Sequence, residues 1–176
     1  MPFTNINKVL VFLLIIIFIP QLGFGSTTKS GLPLPRFVTF KSQETNLRSG
    51  PGANHPIKWT YKIRGYPVEV ITEYENWRQV RDIEGITGWV HQNLLTKNRA
   101  VIVLSKKAKG KLPSNEELLL LRYDSENSRP VARLEAGAII KLERCKQEWC
   151  KVSISGITGW LRKENIWGVY SEELFK

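Results

Sequence analysis

Gly85-Ile86-Thr87-Gly88-Trp89 and Gly156-Ile157-Thr158-Gly159-Trp160 are the same pentapeptide, met twice in one chain of 176 residues. The likeness extends outward. Asn76-Trp77-Arg78-Gln79-Val80-Arg81 precedes the first copy, and Glu148-Trp149-Cys150-Lys151-Val152-Ser153 precedes the second, with one residue more in the first intervening turn. Further back, Gly65 falls on Gly137, and Val68 and Val70 fall on Ile140 and Leu142. Apolar residues two apart mark the inward face of a strand. The chain therefore holds one module twice. In each copy the first Trp through Val reads as a strand, the next residues as a tight turn, and the closing Gly-Trp as entry into the next strand. Glycines there permit positive φ or close backbone approach. Trp89 and Trp160 are expected in the core, since a small module needs the apolar area a tryptophan supplies. Trp77 and Val80 point to opposite faces of a regular strand, so Trp77 is expected on the surface. From Phe37 onward, short β-branched and aromatic runs alternate with Gly, Pro, Asn and Asp, and no amphipathic helix of convincing length intervenes. That pattern predicts an all-β chain of small barrels or sandwiches.

Ahead of the modules, Lys8 precedes an apolar run from Val9 to Ile19, followed by Pro20 and Gly23-Phe24-Gly25-Ser26. A membrane-spanning helix needs about 20 apolar residues. The shorter run with small residues after it reads as a secretory signal peptide over residues 1–25, the alternative being an uncleaved anchor. Residues 26–36, with Gly31, Pro33 and Pro35, read as a flexible tether. Export to the periplasm or beyond makes a disulfide the expected state of Cys145 and Cys150. The four residues between them suit a hairpin loop. A metal or redox pair fits less well, because the spacing is neither Cys-x-x-Cys nor part of a four-ligand set. Cys150 shares parity with Val152, but Cys145 has the opposite parity from Leu142, so a bulge between Leu142 and Cys145 is required.

The chain carries 26 basic and 16 acidic residues, a formal charge of +10. Loss of Lys8 with the leader leaves +9, which favours anionic partners on approach. In an envelope compartment these are phospholipid headgroups, anionic glycopolymers or acidic proteins. Nucleic acid is not expected, since base-stacking motifs are absent. Six of the basic residues, Lys97, Arg99, Lys106, Lys107, Lys109 and Lys111, surround the apolar stretch Ala100 to Leu104, which reads as a strand of the second module followed by a basic loop. Catalysis is not expected either. The two histidines, His55 and His91, read as ordinary surface residues, and a disulfide consumes both thiolates that a zinc site would need. Neither a cofactor nor a metal is called for.

Thr45-Asn46-Leu47-Arg48-Ser49-Gly50-Pro51-Gly52, then Gly65-x-x-Val68-x-Val70, Trp77-x-x-Val80 and Gly88-Trp89-Val90, resemble the bacterial SH3 domain. The tandem arrangement with Cys145 and Cys150 resembles exported two-copy proteins of that family. The likeness covers roughly residues 37 to 170. It implies two small SH3-like β-barrels, over 37–97 and 98–176, and a non-catalytic envelope module that binds cell-wall peptide or peptidoglycan. The second copy departs from the pattern: Leu121-Arg122 is followed by Tyr123-Asp124-Ser125-Glu126 where Ser-Gly-Pro-Gly would stand. Binding is therefore expected in the first copy, from Asn46, Arg48, Trp59, Tyr61, Tyr74 and Trp77. Arg48 would pair with a carboxylate and the rings would lie on sugar or peptide. The competing expectation is a structural adaptor that binds another envelope protein through a sheet edge or through Ile166-Trp167-Gly168-Val169-Tyr170. Membrane contact is confined to the uncleaved-anchor alternative. Expressed in an oxidising compartment, the protein should yield no titratable thiol, and two free thiols would contradict the Cys145–Cys150 pairing.

Overall fold

The computed structural model describes residues 30–104 and 117–176. The signal peptide, the first residues of the tether and the lysines at 106, 107, 109 and 111 lie outside them.

Among the described residues, fourteen strands form two seven-stranded antiparallel sheets with one topology used twice. The first holds β1 (Arg36–Phe40), β2 (Thr45–Arg48), β3 (Ile57–Tyr61), β4 (Pro67–Tyr74), β5 (Trp77–Arg81), β6 (Thr87–His91) and β7 (Leu95–Thr96). Its order is β3-β2-β6-β5-β4-β1-β7. The second holds β8 (Ala100–Val103), β9 (Glu117–Leu121), β10 (Pro130–Glu135), β11 (Ile139–Cys145), β12 (Trp149–Ile154), β13 (Ile157–Arg162) and β14 (Ile166–Trp167). Its order is β10-β9-β13-β12-β11-β8-β14. The protein is thus all-β, as two tandem SH3-like domains. Ala100 to Val103 is a strand of the second sheet, as its apolar character predicts.

Each sheet encloses its own core. Val38, Phe40, Leu47, Tyr61, Val68, Val70, Val80 and Val90 fill the first. Leu118, Leu120, Leu134, Ile140, Leu142, Val152 and Leu161 occupy matching places in the second, with both cysteines among them. The inward residue after each repeated Gly-Trp is the aliphatic one, Val90 or Leu161. Trp89 and Trp160 belong to neither cluster. Trp160 is nonetheless buried, as expected, whereas Trp89, paired across the ladder with the outward-facing Gln79, is only half-buried.

The pentapeptide has a packing reason. A Cβ on Gly88 would stand 2.5 Å from Leu47 Cγ and 2.9 Å from the Arg48 carbonyl oxygen. On Gly159 it would stand 2.5 Å from Leu120 Cγ and 2.7 Å from the Leu121 carbonyl oxygen. Only glycine lets β6 cross β2, and β13 cross β9, that closely. The preceding glycine of each copy closes the turn at positive φ, 83° at Gly85 and 82° at Gly156. In the second copy Ser155 also has φ 49°, so two left-handed residues link β12 to β13 in the manner of a tight hairpin. The longer first turn is organised by Asp82, whose Oδ1 accepts from the backbone N–H groups of Glu84 and Ile86.

β4 and β11 each carry a bulge at the same point, between Val70 and Thr72 and between Leu142 and Arg144. This is the irregularity that the parity of Cys145 demands. Beyond it, Glu73 stands opposite Arg78, and Cys145 stands opposite Cys150. One register position is thus closed by a buried ion pair in the first copy, with Arg78 Nε 3.1 Å from Glu73 Oε1, and by a disulfide in the second. Glu73 also accepts from Arg36 Nη2 at 2.5 Å and from Ser30 Oγ at 2.9 Å. The part of the expected tether from Ser30 to Arg36 is therefore fastened to the first sheet. At the equivalent place in the second, Cys145 exchanges backbone hydrogen bonds with Phe175.

The two domains touch. Phe37 of β1 packs against Trp167 (centroids 5.1 Å apart) and Tyr170 (4.8 Å). The Tyr170 hydroxyl donates to Glu69 Oε1 at 2.9 Å. Arg99, between the domains in sequence, donates to both Glu173 oxygens and to the Gly168 carbonyl. The Ile166–Tyr170 segment, expected as one surface for a partner protein, is thereby occupied within the chain itself. Its aromatic rings find their apolar partner in Phe37.

Two outcomes follow from these contacts. Gly88→Ala should cost about 2 kcal/mol, the usual scale of overpacking. It would be read as a lower urea midpoint at unchanged slope. Burial works against ionisation of Glu173, but the Arg99 guanidinium outweighs it and holds the carboxyl below the usual glutamate range. A depressed folded-state value stabilises the native state fully above the unfolded value of about 4.3, and that stability is lost as pH falls through the lower folded value. The melting temperatures of the native protein and Glu173→Gln should therefore differ most near neutrality and converge in acid. A gap independent of pH would contradict this.

Candidate functional site

Asn46, Arg48 and Trp77 converge, with Glu44, Ala53, His91 and Leu94, around an open concavity of about 390 Å³ on the first domain. β2 supplies Asn46 and Arg48, both on its outward face because Thr45 and Leu47 are buried. β5 supplies Trp77, half-buried and paired in register with His91 of β6. The two rings meet edge to face at 5.4 Å. His91 Nδ1 accepts from the Asn93 backbone N–H.

The Ser49–Pro56 loop is built by its own glycines. The Ser49 N–H donates to the Pro56 carbonyl and the Gly52 N–H to the Gly50 carbonyl. A Cβ on Gly50 would lie 2.5 Å from His55 Nδ1, so the His55 ring packs where only glycine leaves room. Arg48 Nη1 donates to the His55 carbonyl at 2.7 Å, which fixes the guanidinium of this residue that lines the concavity. Asn46 Oδ1 accepts from the Thr60 hydroxyl at 2.7 Å, leaving the amide donors of Asn46 for a ligand. The floor thus presents a guanidinium, an amide and an indole face, with the Glu44 carboxylate at its rim. Such a set suits a polar chain bearing a carboxylate.

The remaining three candidates lie elsewhere. Tyr61 is buried in the core, its ring 5.0 Å from Phe40 and 5.1 Å from Tyr66 and its hydroxyl donating to Asp82 Oδ2 at 2.6 Å. Burial, then the bond to Asp82, push that hydroxyl's pKa far up and keep it a donor. Its place on a ligand surface is withdrawn: as the last residue of β3 it turns inward opposite Thr45. Trp59 is 53% exposed on edge strand β3, and Tyr74 is 54% exposed opposite Trp77 in the β4–β5 hairpin. Neither lines the concavity. Glu44, Ala53, His91 and Leu94 were missed. His91 was within reach, because it shares the parity of Trp89 and, across the hairpin, must pair with Trp77.

The second domain has the corresponding concavity, about 350 Å³, lined by Glu117, Leu119, Leu121, Trp149, Arg162 and Asn165 among others. Strand register puts Leu121, not Arg122 as the sequence pattern suggested, at the place of Arg48, since each pairs with the repeated tryptophan; Leu119 and Leu121 thus replace Asn46 and Arg48, and Arg162 replaces His91. Arg162 lies over the Trp149 ring, with its guanidinium carbon 5.1 Å from the centroid. Glu126 and Glu148 hold it there. Where the first copy sets a histidine ring edge to face with its indole, the second sets an ion-paired guanidinium.

Among the described residues no group of three or more His, Cys, Asp or Glu is arranged to hold a metal ion, and no helix is long and apolar enough to cross a membrane.

No curated protein matches the chain. Solved structures that align with it include NlpC2 from Trichomonas vaginalis (10% identity, TM-score 0.33, covering 76% of this chain and 48% of that one). NlpC1 from the same organism aligns at 10% identity and TM-score 0.32, covering 80% and 48%. An NlpC/P60 family protein from Bacillus cereus aligns at 14% and 0.32, covering 74% and 55%. The chain spans about half the length of these proteins. The sequence itself matches the bacterial SH3 domain family at residues 41–97 and again at 115–168. Those segments carry β2 to β7 and β9 to β14 and both concavities, and the chain belongs to the bacterial SH3 domain family.

Proposed function

We propose that this protein is a non-catalytic binding module of the cell envelope, exported by its leader, that recognises cell-wall peptide or peptidoglycan through the first domain. Bacterial SH3 domains commonly serve in that way, and the Cys145–Cys150 disulfide suits an oxidising compartment. The observation that carries the reading is the contrast between the two concavities. In the first, Trp77, Arg48 and Asn46 line an open space. In the second, Arg162 lies on the equivalent indole and leucines stand in place of the polar pair. A stem-peptide carboxylate would bind Arg48, and the Trp77 face would take the adjoining apolar or sugar surface.

A second reading has one observation of its own. β3 is an edge strand of the first sheet, and Ile57 and Trp59 on it are each at least half exposed. An adaptor that adds a partner's strand at this edge would use them.

Incubating the chain from Ser26 onward with insoluble peptidoglycan sacculi, followed by centrifugation, separates the two. Wall binding predicts co-sedimentation at moderate salt that Trp77→Ala weakens by about tenfold or more, as expected of a binding hot spot. Trp59→Ala should leave it unchanged. A protein that stays wholly in the supernatant overturns the proposal. Retention lost with rising salt and indifferent to Trp77→Ala would show charge-driven adsorption instead.

A further inference from the structure

Trp160 is only 5% exposed, yet it lies outside the second domain's core cluster. Cations cover it. The Arg144 guanidinium carbon sits 5.1 Å from its centroid and Lys146 Nζ 4.8 Å from it. Lys151 is paired in register with both Arg144 and Trp160. Arg122 follows Leu121, which pairs with Trp160 on the other side. Together with Tyr123, Asp124, Val131, Thr158 and Gly159, these residues line a depression of about 470 Å³.

Four cations therefore converge on one small space. Only Asp124, bonded to Lys146, opposes them within it, while Glu143 beside Lys151 is engaged by Lys141 and Ser153. Among the described residues Arg122, Arg144 and Lys151 form no direct ion pair, though Asp124 feels Arg144 and Glu143 feels Lys151. Placing Arg144 directly opposite Lys151 on an antiparallel ladder is destabilising in itself, since like charges there repel. The first domain avoids the arrangement. Its matching positions are Ser49, Thr72, Tyr74 and Gln79, all neutral, at the same places relative to Trp89 and the β4 bulge. The fold does not require basic residues here.

We infer that this face of the second domain is a phosphate-binding site. A net charge of about +3 within the depression is better matched by a phosphomonoester or pyrophosphate, which carries close to two charges per terminal group, than by a single carboxylate. The guanidinium of Arg144 and the ammonium of Lys146, held on the Trp160 ring, are pre-placed to receive it. The phosphate could be borne by an envelope polymer or by a lipid headgroup. The site is separate from the concavity of the first domain and stands whether or not that concavity binds the cell wall.

Backbone amide shifts of the chain from Ser26 onward, followed by NMR during titration with inorganic pyrophosphate, test the inference. Saturable shifts confined to Arg122, Arg144, Lys146, Lys151 and the Trp160 indole support it. They should be lost in the fourfold variant Arg122→Ser, Arg144→Thr, Lys146→Tyr, Lys151→Gln, which carries the residues the first domain already folds with. They should persist in Lys41→Gln, Lys58→Gln, Lys62→Gln, which lowers the charge elsewhere. If the fourfold variant does not fold, Arg122→Ser alone, at an exposed turn, should still weaken binding. Co-sedimentation with phosphatidylcholine vesicles containing phosphatidic acid, in addition to the pyrophosphate shifts, assigns the phosphate to a lipid. The shifts without vesicle binding assign it to a soluble or polymer-borne group. Absence of saturable shifts, or shifts that the fourfold variant retains, overturns the site.

Discussion

The structure depends on a close crossing of two strands, made once in each domain. Gly88 passes over Leu47 and the Arg48 carbonyl, and Gly159 over Leu120 and the Leu121 carbonyl, at distances no side chain could share. That crossing drives Leu47 and Leu120 to the centre of their cores, where both are fully buried. It also sets the outward residues of β2 and β9 beside those of β5–β6 and β12–β13. Each concavity lies in the angle so formed. The same few residues thus hold the core together and create a surface on which the two copies differ.

The copies differ by exchanging physical solutions at matched positions. Glu73 and Arg78 close the β4–β5 hairpin with a buried ion pair, whereas Cys145 and Cys150 close the β11–β12 hairpin covalently. A buried pair is costly to desolvate and strongly destabilising to break from one side. A short disulfide loop contributes about 2 kcal/mol on the chain-entropy view. Freed from serving an ion pair, the second hairpin carries cations on its outer face instead. In the same way the Tyr61–Asp82 hydrogen bond of the first copy gives way to Leu134 and Ile154 in the second. The first domain is thereby the more polar inside, and the second the more basic outside.

The domains meet around Phe37, Trp167, Tyr170 and Arg99, whose guanidinium lies over the Phe37 ring. Burial and then Glu69 raise the Tyr170 hydroxyl's pKa well above its ordinary range, so it remains a donor to Glu69. The carboxy-terminal aromatics that look free for a partner in the sequence are spent on this joint. Both concavities and the basic depression draw on none of these joint residues.

The all-β class, the duplication and the bulge before Cys145 were legible in the sequence, because strand parity and glycine punctuation are local properties of neighbouring residues. So were Asn46, Arg48 and Trp77, whose outward parity follows from the buried Leu47 and Val80. Tyr61 was misplaced because a tyrosine at a strand end can face either way, and only Asp82, 21 residues on, supplies the buried acceptor that turns it inward. Trp160 is buried as its size suggested, though beneath Arg144 and Lys146 rather than within the core cluster, and Trp89 is only half-buried because ladder register turns it away from Val90. Which side chain meets an indole, His91 at Trp77, Arg162 at Trp149, Arg144 and Lys146 at Trp160, depends on side chains brought from other strands. Period and composition determined the strands of this protein. Tertiary structure alone decided which face each ring meets, because that is set by cross-strand register and by long side chains reaching across it.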